Sequence, residues 1–158
     1  MLTLFPHKKL KFRLFDTQQA TLERLNRRTE YSANLTSSYT DKSFRGQIKG
    51  NQFQLIDSSV GRGAFCVMKG QIGEKEGELG LEIHKVFKVL LSILLLMPLL
   101  AIIPLFYQSQ EQFSIGLIIM ILLLQTLIIR FIFIELIFWQ LSKTSRNKFR
   151  DVADVEWE

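Results

Sequence analysis

The hydrophobic pattern changes period partway along the chain. Up to about residue 84 apolar and polar side chains alternate in short runs, and from residue 89 apolar residues follow one another almost unbroken. Residues 89–106 read VLLSILLLMPLLAIIPLF, in which Ser92 is the only polar side chain. Residues 107–114 (YQSQEQFS) interrupt the run, and residues 115–141 resume it, broken chiefly by Gln125, Arg130, Glu135 and Gln140. A helix needs about 20 apolar residues to cross a hydrocarbon layer roughly 30 Å thick. Backbone groups inside that layer must be satisfied within the segment. Two such spans, over about 89–106 and 115–139, predict a transmembrane helical hairpin within residues 86–141. A soluble helix needs a polar face, and residues 89–106 have none to offer.

The alternating half predicts strands. Leu10, Phe12 and Leu14 share one face of residues 9–15, with Lys9, Lys11 and Arg13 on the other, a period of two that argues a half-buried strand. An interfacial segment with cations toward headgroups is the competing reading. Asp16 or Thr17 can cap a short helix over about 17–28, whose apolar stripe is only Leu22 and Leu25. Residues 29–41, rich in Ser, Thr, Asn and Tyr, read as a loop. Residues 43–49 and 52–56 flank Gly50-Asn51, the composition of a two-residue hairpin turn. A second pair, 64–72 and 78–84, is joined by the charged turn 73–77. Gly46 and Gly70 fall mid-strand, where glycine costs stability unless a neighbouring ring packs over it or the strand curls. The expected fold is therefore an α+β membrane protein. A small antiparallel β-sheet or curled β-meander of 4–5 strands, with one short helix, fills residues 1–85. The hairpin occupies 86–141, and a charged tail 142–158 either frays or docks on the sheet as a short strand or helix.

Charge sets the orientation. Lys85 and Lys88 precede the first span, Lys143, Arg146, Lys148 and Arg150 follow the second, and the connecting loop carries only Glu111. The positive-inside rule then puts both termini in the cytoplasm, on a two-pass topology, with these six cations as candidate membrane-surface contacts. Lys8, Lys9, Lys11 and Arg13 leave no apolar core for a signal peptide. A lone Cys66 suits a reducing compartment. At 158 residues with a net charge of +5, the chain allows one small soluble unit beside the hairpin. Its cations suit a bilayer surface better than nucleic acid, for which no aromatic-studded basic motif is present.

Candidate chemistry is sparse. His7 and His84 lack metal-ligand neighbours apart from Glu82. No phosphate loop, nucleophile elbow or zinc-protease motif occurs, so no enzyme activity, metal, cofactor or small-molecule substrate is expected. Arg130 and Glu135, with Gln125, are candidate intramembrane contacts, since charge inside a membrane invites a functional reading. A snorkelling Arg130 is the plainer alternative. Five residues apart, Arg130 and Glu135 stand about 140° apart on an α-helix and make no ordinary helical pair.

Phe44, Gly46, Ile48, Phe53, Leu55, Phe65, Gly70 and Ile72, followed by a strand running into apolar helices, resemble an uncharacterised family of small bacterial two-helix membrane proteins. The resemblance spans residues 44–106. It implies a bacterial inner membrane and no particular activity. The expected function is a membrane-anchored cytoplasmic β-module that binds a protein partner or the inner leaflet, edge-strand addition being one mode. The alternative is a homo-oligomeric transporter or channel subunit using Gln125, Arg130 and Glu135.

Overall fold

The alternating strands assemble into one seven-stranded sheet. The computed structural model describes residues 4–36, 38–59, 64–100 and 115–158. It divides into two units, residues up to His84 together with Phe138–Glu158, and Lys85–Ile137.

In the first unit the elements are β1 (His7–Leu14), α1 (Gln18–Arg27), β2 (Thr29–Tyr31), β3 (Phe44–Lys49), β4 (Gln52–Asp57), β5 (Cys66–Ile72) and β6 (Glu76–Ile83). The last part of a helix and a final strand, β7 (Val155–Trp157), complete it. The spatial order is β2-β3-β4-β5-β6-β1-β7. All neighbours are antiparallel except β2 and β3. Thr17 caps α1 by accepting from the Ala20 amide at 3.3 Å. The turn at Gly50-Asn51 is as expected, with Gly50 at φ 58°, a conformation that costs glycine little. The second turn is tighter than expected: the Gly73 amide donates to the Glu76 carbonyl at 2.8 Å, and Glu76 and Gly77 already belong to β6.

Two strands exceed the predicted four or five. β2 lies inside the expected loop 29–41 and β7 inside the expected tail. Each is three residues long, too short to show a period, and each follows directly on a helix that delivers it to the sheet. The tail as a whole is ordered structure. Residues 142–153 continue the helix Glu135–Ala153, Asp154 turns the chain at φ 55°, and β7 pairs with β1 from Phe12↔Trp157 to Leu14↔Val155. The pattern behind this docking is Phe138, Ser142, Ser145, Phe149 and Ala153, the helix's buried residues, spaced to fall on one face. Small serines let the helix approach the sheet, and Phe149 fills the space between them.

Phe149 is fully buried among Phe53 (ring centroids 5.1 Å), Phe12 (5.5 Å), Trp157 (6.2 Å) and Phe44 (6.5 Å). Offset and edge-on ring contacts of this kind add to the burial of apolar area. Gly70 is closed off first by backbone, since an added Cβ would strike the Glu78 carbonyl oxygen, and then by the Phe53 ring, whose Cζ would lie 2.6 Å away. Gly46 is closed off by backbone too: its φ is 153° and a Cβ would strike Gln54 and Leu55.

The second unit contains α2 (Lys85–Leu100), α3 (Ile115–Ile128), a π-helical segment (Ile129–Ile134) and the start of α4 (Glu135–Ala153). α2 and α3 touch. From Gly116 to Ala153 the helix runs 38 residues, long and apolar enough to cross a membrane, with only 11% of its most apolar stretch buried. It also extends well past the expected end at residue 139. α2 is described over 16 residues and contains Pro98, and among the described residues one helix is of membrane-crossing length where two were expected. The rest of the first span, Pro104 and the loop 107–114 lie outside the described residues.

Candidate functional site: a cationic cleft on the C-terminal helix

The expected surface cations separate into two groups. Lys148 turns inward: its Nζ lies 2.8 Å from Asp57 Oδ1 and 5.8 Å from the centroid of the Phe44 ring. Asp57, buried at an inward-facing position of β4, also accepts from the Ser59 amide and hydroxyl at 2.9 and 2.8 Å. Lys148 is thus a structural cation. Arg150 pairs with its neighbour Asp151 at 3.3 Å. Lys85 is exposed and Lys88 half-buried at the start of α2.

Lys143 and Arg146 behave otherwise. With Trp139 and Ser142 they occupy positions i, i+3, i+4 and i+7, which lie along one side of a helix. Together with Lys8 and Leu81 these residues line a cleft of about 270 Å3. Lys8 stands directly across from Leu81 in the β1–β6 register. It continues the row Leu10, Phe12 and Leu14, so a cation occupies the end of the sheet's apolar face. Among the described residues the lining holds three cations and no carboxylate, and none of the three forms an ion pair. Lys143 Nζ lies 5.3 Å from the Trp139 ring centroid and the Arg146 guanidinium 6.0 Å from that of Trp157. Arg146 Nε is buried without a hydrogen-bond acceptor. The Ser142 hydroxyl donates to the Trp139 carbonyl at 3.0 Å and leaves its oxygen lone pairs toward other donors. Three like charges beside an apolar wall repel one another unless an anion joins them. A second groove, of about 550 Å3 beside β2, mixes Glu23 with Arg27 and Lys42, and Lys42 already donates to the Thr29 carbonyl at 3.3 Å.

Sequence reasoning found Lys143 and Arg146 and missed Lys8, Trp139 and Ser142. The signal for Lys8 was its parity with Leu10, Phe12 and Leu14. The signal for Trp139 and Ser142 was the helical spacing to Arg146, hidden while these residues were read as membrane boundary and tail.

Arg130 and Glu135 do meet, against the expectation from α-helical geometry. Arg130 lies within the π-helical segment and Glu135 just after it, and the Arg130 guanidinium comes 3.5 Å from Glu135 Oε2. The wider turn of an i→i+5 helix brings residues five apart over one another. The guanidinium also sits 5.1 Å from the Phe131 ring centroid. Gln125 is exposed, with no hydrogen bond to this pair.

Cys66 is buried on the inward face of β5, and burial, the largest effect, pushes its thiol up to about 12, opposed by a hydrogen bond with Ser145 and reinforced by Asp57 and Glu82. Such a thiol stays protonated and unreactive near neutrality. His84 is held below the usual imidazole range by burial and then by Lys69, with Glu82 opposing. Glu82 itself pairs with Lys69. No group of three or more potential metal ligands exists among the described residues. The chain matches no protein-family model, no curated protein and no solved structure. The resemblance over residues 44–106 therefore carries no further argument, and the class of protein is argued from the helix and the cleft.

Proposed function

We propose that the chain is a membrane-anchored accessory module without enzymatic activity. In this reading the apolar helices form a two-pass anchor in a bacterial cytoplasmic membrane, with both termini and the sheet on the inner side. The observation that carries it is the helical run Gly116–Ala153, apolar and largely exposed over its first part and folded into the core of the sheet unit through Phe149 at its end. A core helix of a soluble protein would bury its leucines, whereas here Leu117, Leu123, Leu124, Leu127 and Phe131 stand about half exposed. Apolar surface on that scale calls for lipid or protein cover. Strand addition is the weaker binding mode, because both sheet edges are three-residue strands, and short edges resist pairing. The inner leaflet is the favoured partner. The transporter alternative loses support from the Arg130–Glu135 pair, since a cation neutralised within its own helix needs no partner subunit.

Alkaline carbonate treatment of membranes, combined with a reporter fused after Glu158, tests this reading. Retention in the membrane with a cytoplasmic reporter is the expected result. Release by carbonate, or a reporter active only in the periplasm, overturns it.

A further inference from the structure

We propose that the cleft formed by Lys8, Lys143 and Arg146 binds the phosphate of an anionic phospholipid, with Trp139 and Leu81 against the glycerol and the start of the acyl chains. The proposal deepens the inner-leaflet reading above, on which it rests for the source of the ligand.

The cleft's chemistry selects a phosphate. Three cations converge on one space without a carboxylate among the lining residues, whereas Lys148, turned inward on the same helix, is matched by Asp57. Arg146 contributes a forked donor group whose Nε has no acceptor within the protein, the group best suited to holding phosphate oxygens. Lys8 from β1 and Lys143 from the same helix add flexible point charges. A purely ionic site would serve a soluble phosphate equally well. The apolar wall of Trp139 and Leu81 distinguishes a ligand that carries hydrocarbon. Tryptophan is also the side chain favoured at headgroup depth, and Trp139 follows directly on the apolar run Ile115–Ile128 and Ile129–Ile134 and the first turn of α4.

Both tryptophans of the chain report on the cleft, Trp139 as its wall and Trp157 beside Arg146. The full chain in a zwitterionic detergent is therefore titrated with dihexanoyl phosphatidylglycerol, dihexanoyl phosphatidylcholine and inorganic phosphate, reading tryptophan emission. The expected result is a saturable change with phosphatidylglycerol at least tenfold tighter than with either other probe. Lys8→Ala and Arg146→Ala should each weaken it roughly tenfold, the loss of one charge-assisted hydrogen bond. Lys9→Ala removes the same charge from the opposite face of β1 and should leave it unchanged. Circular dichroism of each variant confirms folding, and Lys143→Ala serves if Arg146→Ala fails to fold. Equal weakening by Lys9→Ala, no saturation, or phosphate binding as tightly as the lipid would each overturn the proposal. Short-chain lipid reaches the cleft whether or not the helices span a bilayer, so this result and the carbonate result fail independently.

Discussion

Lys148 and the pair Lys143 and Arg146 lie within one and a half turns of each other on the same helix, yet they face opposite electrostatic situations. On β4 the buried Asp57 meets Lys148 at 2.8 Å and is further satisfied by Ser59. Across β5 and β6, on β1, stands Lys8, and the helix brings Lys143 and Arg146 to the same cleft. A buried charge is tolerated when its partner and remaining hydrogen bonds are supplied, and Asp57 meets that condition from within the chain. Lys8 and Lys143 are exposed and rest on water, while Arg146 carries a buried Nε without an acceptor. The first arrangement fixes how the helix docks; the second holds like charges together beside room for an anion.

The largest expected effect comes from the buried residue beside Lys148 that holds the helix against the sheet. Phe149→Ala removes a ring that touches four others and should cost about 3–5 kcal/mol, the usual range for a fully buried phenylalanine. Near-UV circular dichroism during denaturant unfolding measures it. A loss below about 1 kcal/mol would mean that the helix does not depend on this contact, and the contrast between its two cation sites would lose its common frame.

This cluster also marks the limit of what the sequence makes legible. Period-two alternation is enough for β1, β3, β4, β5 and β6 because one face of each is apolar, and Gly50-Asn51 sets the first hairpin's register. The same logic fails for β2 and β7, where three residues carry no period and a preceding helix decides their place. It fails for the docking of α4 because that face contains two serines and an alanine, which count as neutral in any hydrophobic pattern while allowing the closest approach. The ring over Gly70 was legible, but at both Gly70 and Gly46 the nearest obstacle is the backbone of the neighbouring strand, which no side-chain pattern reports. Arg130 and Glu135 were misjudged for one reason: the 140° between them assumes an α-helix, and the chain is π-helical through Ile129–Ile134. In the cleft, Lys143 and Arg146 were visible as charge, whereas convergence with Lys8 across 135 or more residues is a property of topology alone.

A smaller effect is expected at the satisfied pair. Asp57→Ala leaves Lys148 without its partner, but the lysine side chain is 31% exposed, so water recovers part of the loss. The cost should fall at about 1–3 kcal/mol, below the roughly 3–5 typical of a pair fully withdrawn from solvent. Adding Lys148→Met should return part of it, because an apolar side chain near Phe44 leaves no stranded charge. Strict additivity of the two losses would show that no coupling exists and would remove one side of the contrast.

The smallest effect belongs to the cleft, and its sign is what matters. Lys8→Met keeps the length of the side chain, removes one of three like charges and places a thioether beside Leu81. If the cations at the cleft supported the fold, this change would cost stability as the Asp57 change does. With no ion pair to lose among the described residues, relief of repulsion offsets any lost packing, and unfolding in lipid-free detergent should shift by no more than about 0.5 kcal/mol, in the stabilising direction. The gain should shrink as salt is raised, because screening weakens repulsion between exposed charges over a length of about 10 Å at 0.1 M. A loss of more than about 1 kcal/mol at low salt would instead assign Lys8 a structural role like that of Lys148, and the two cation sites would differ in geometry without differing in purpose.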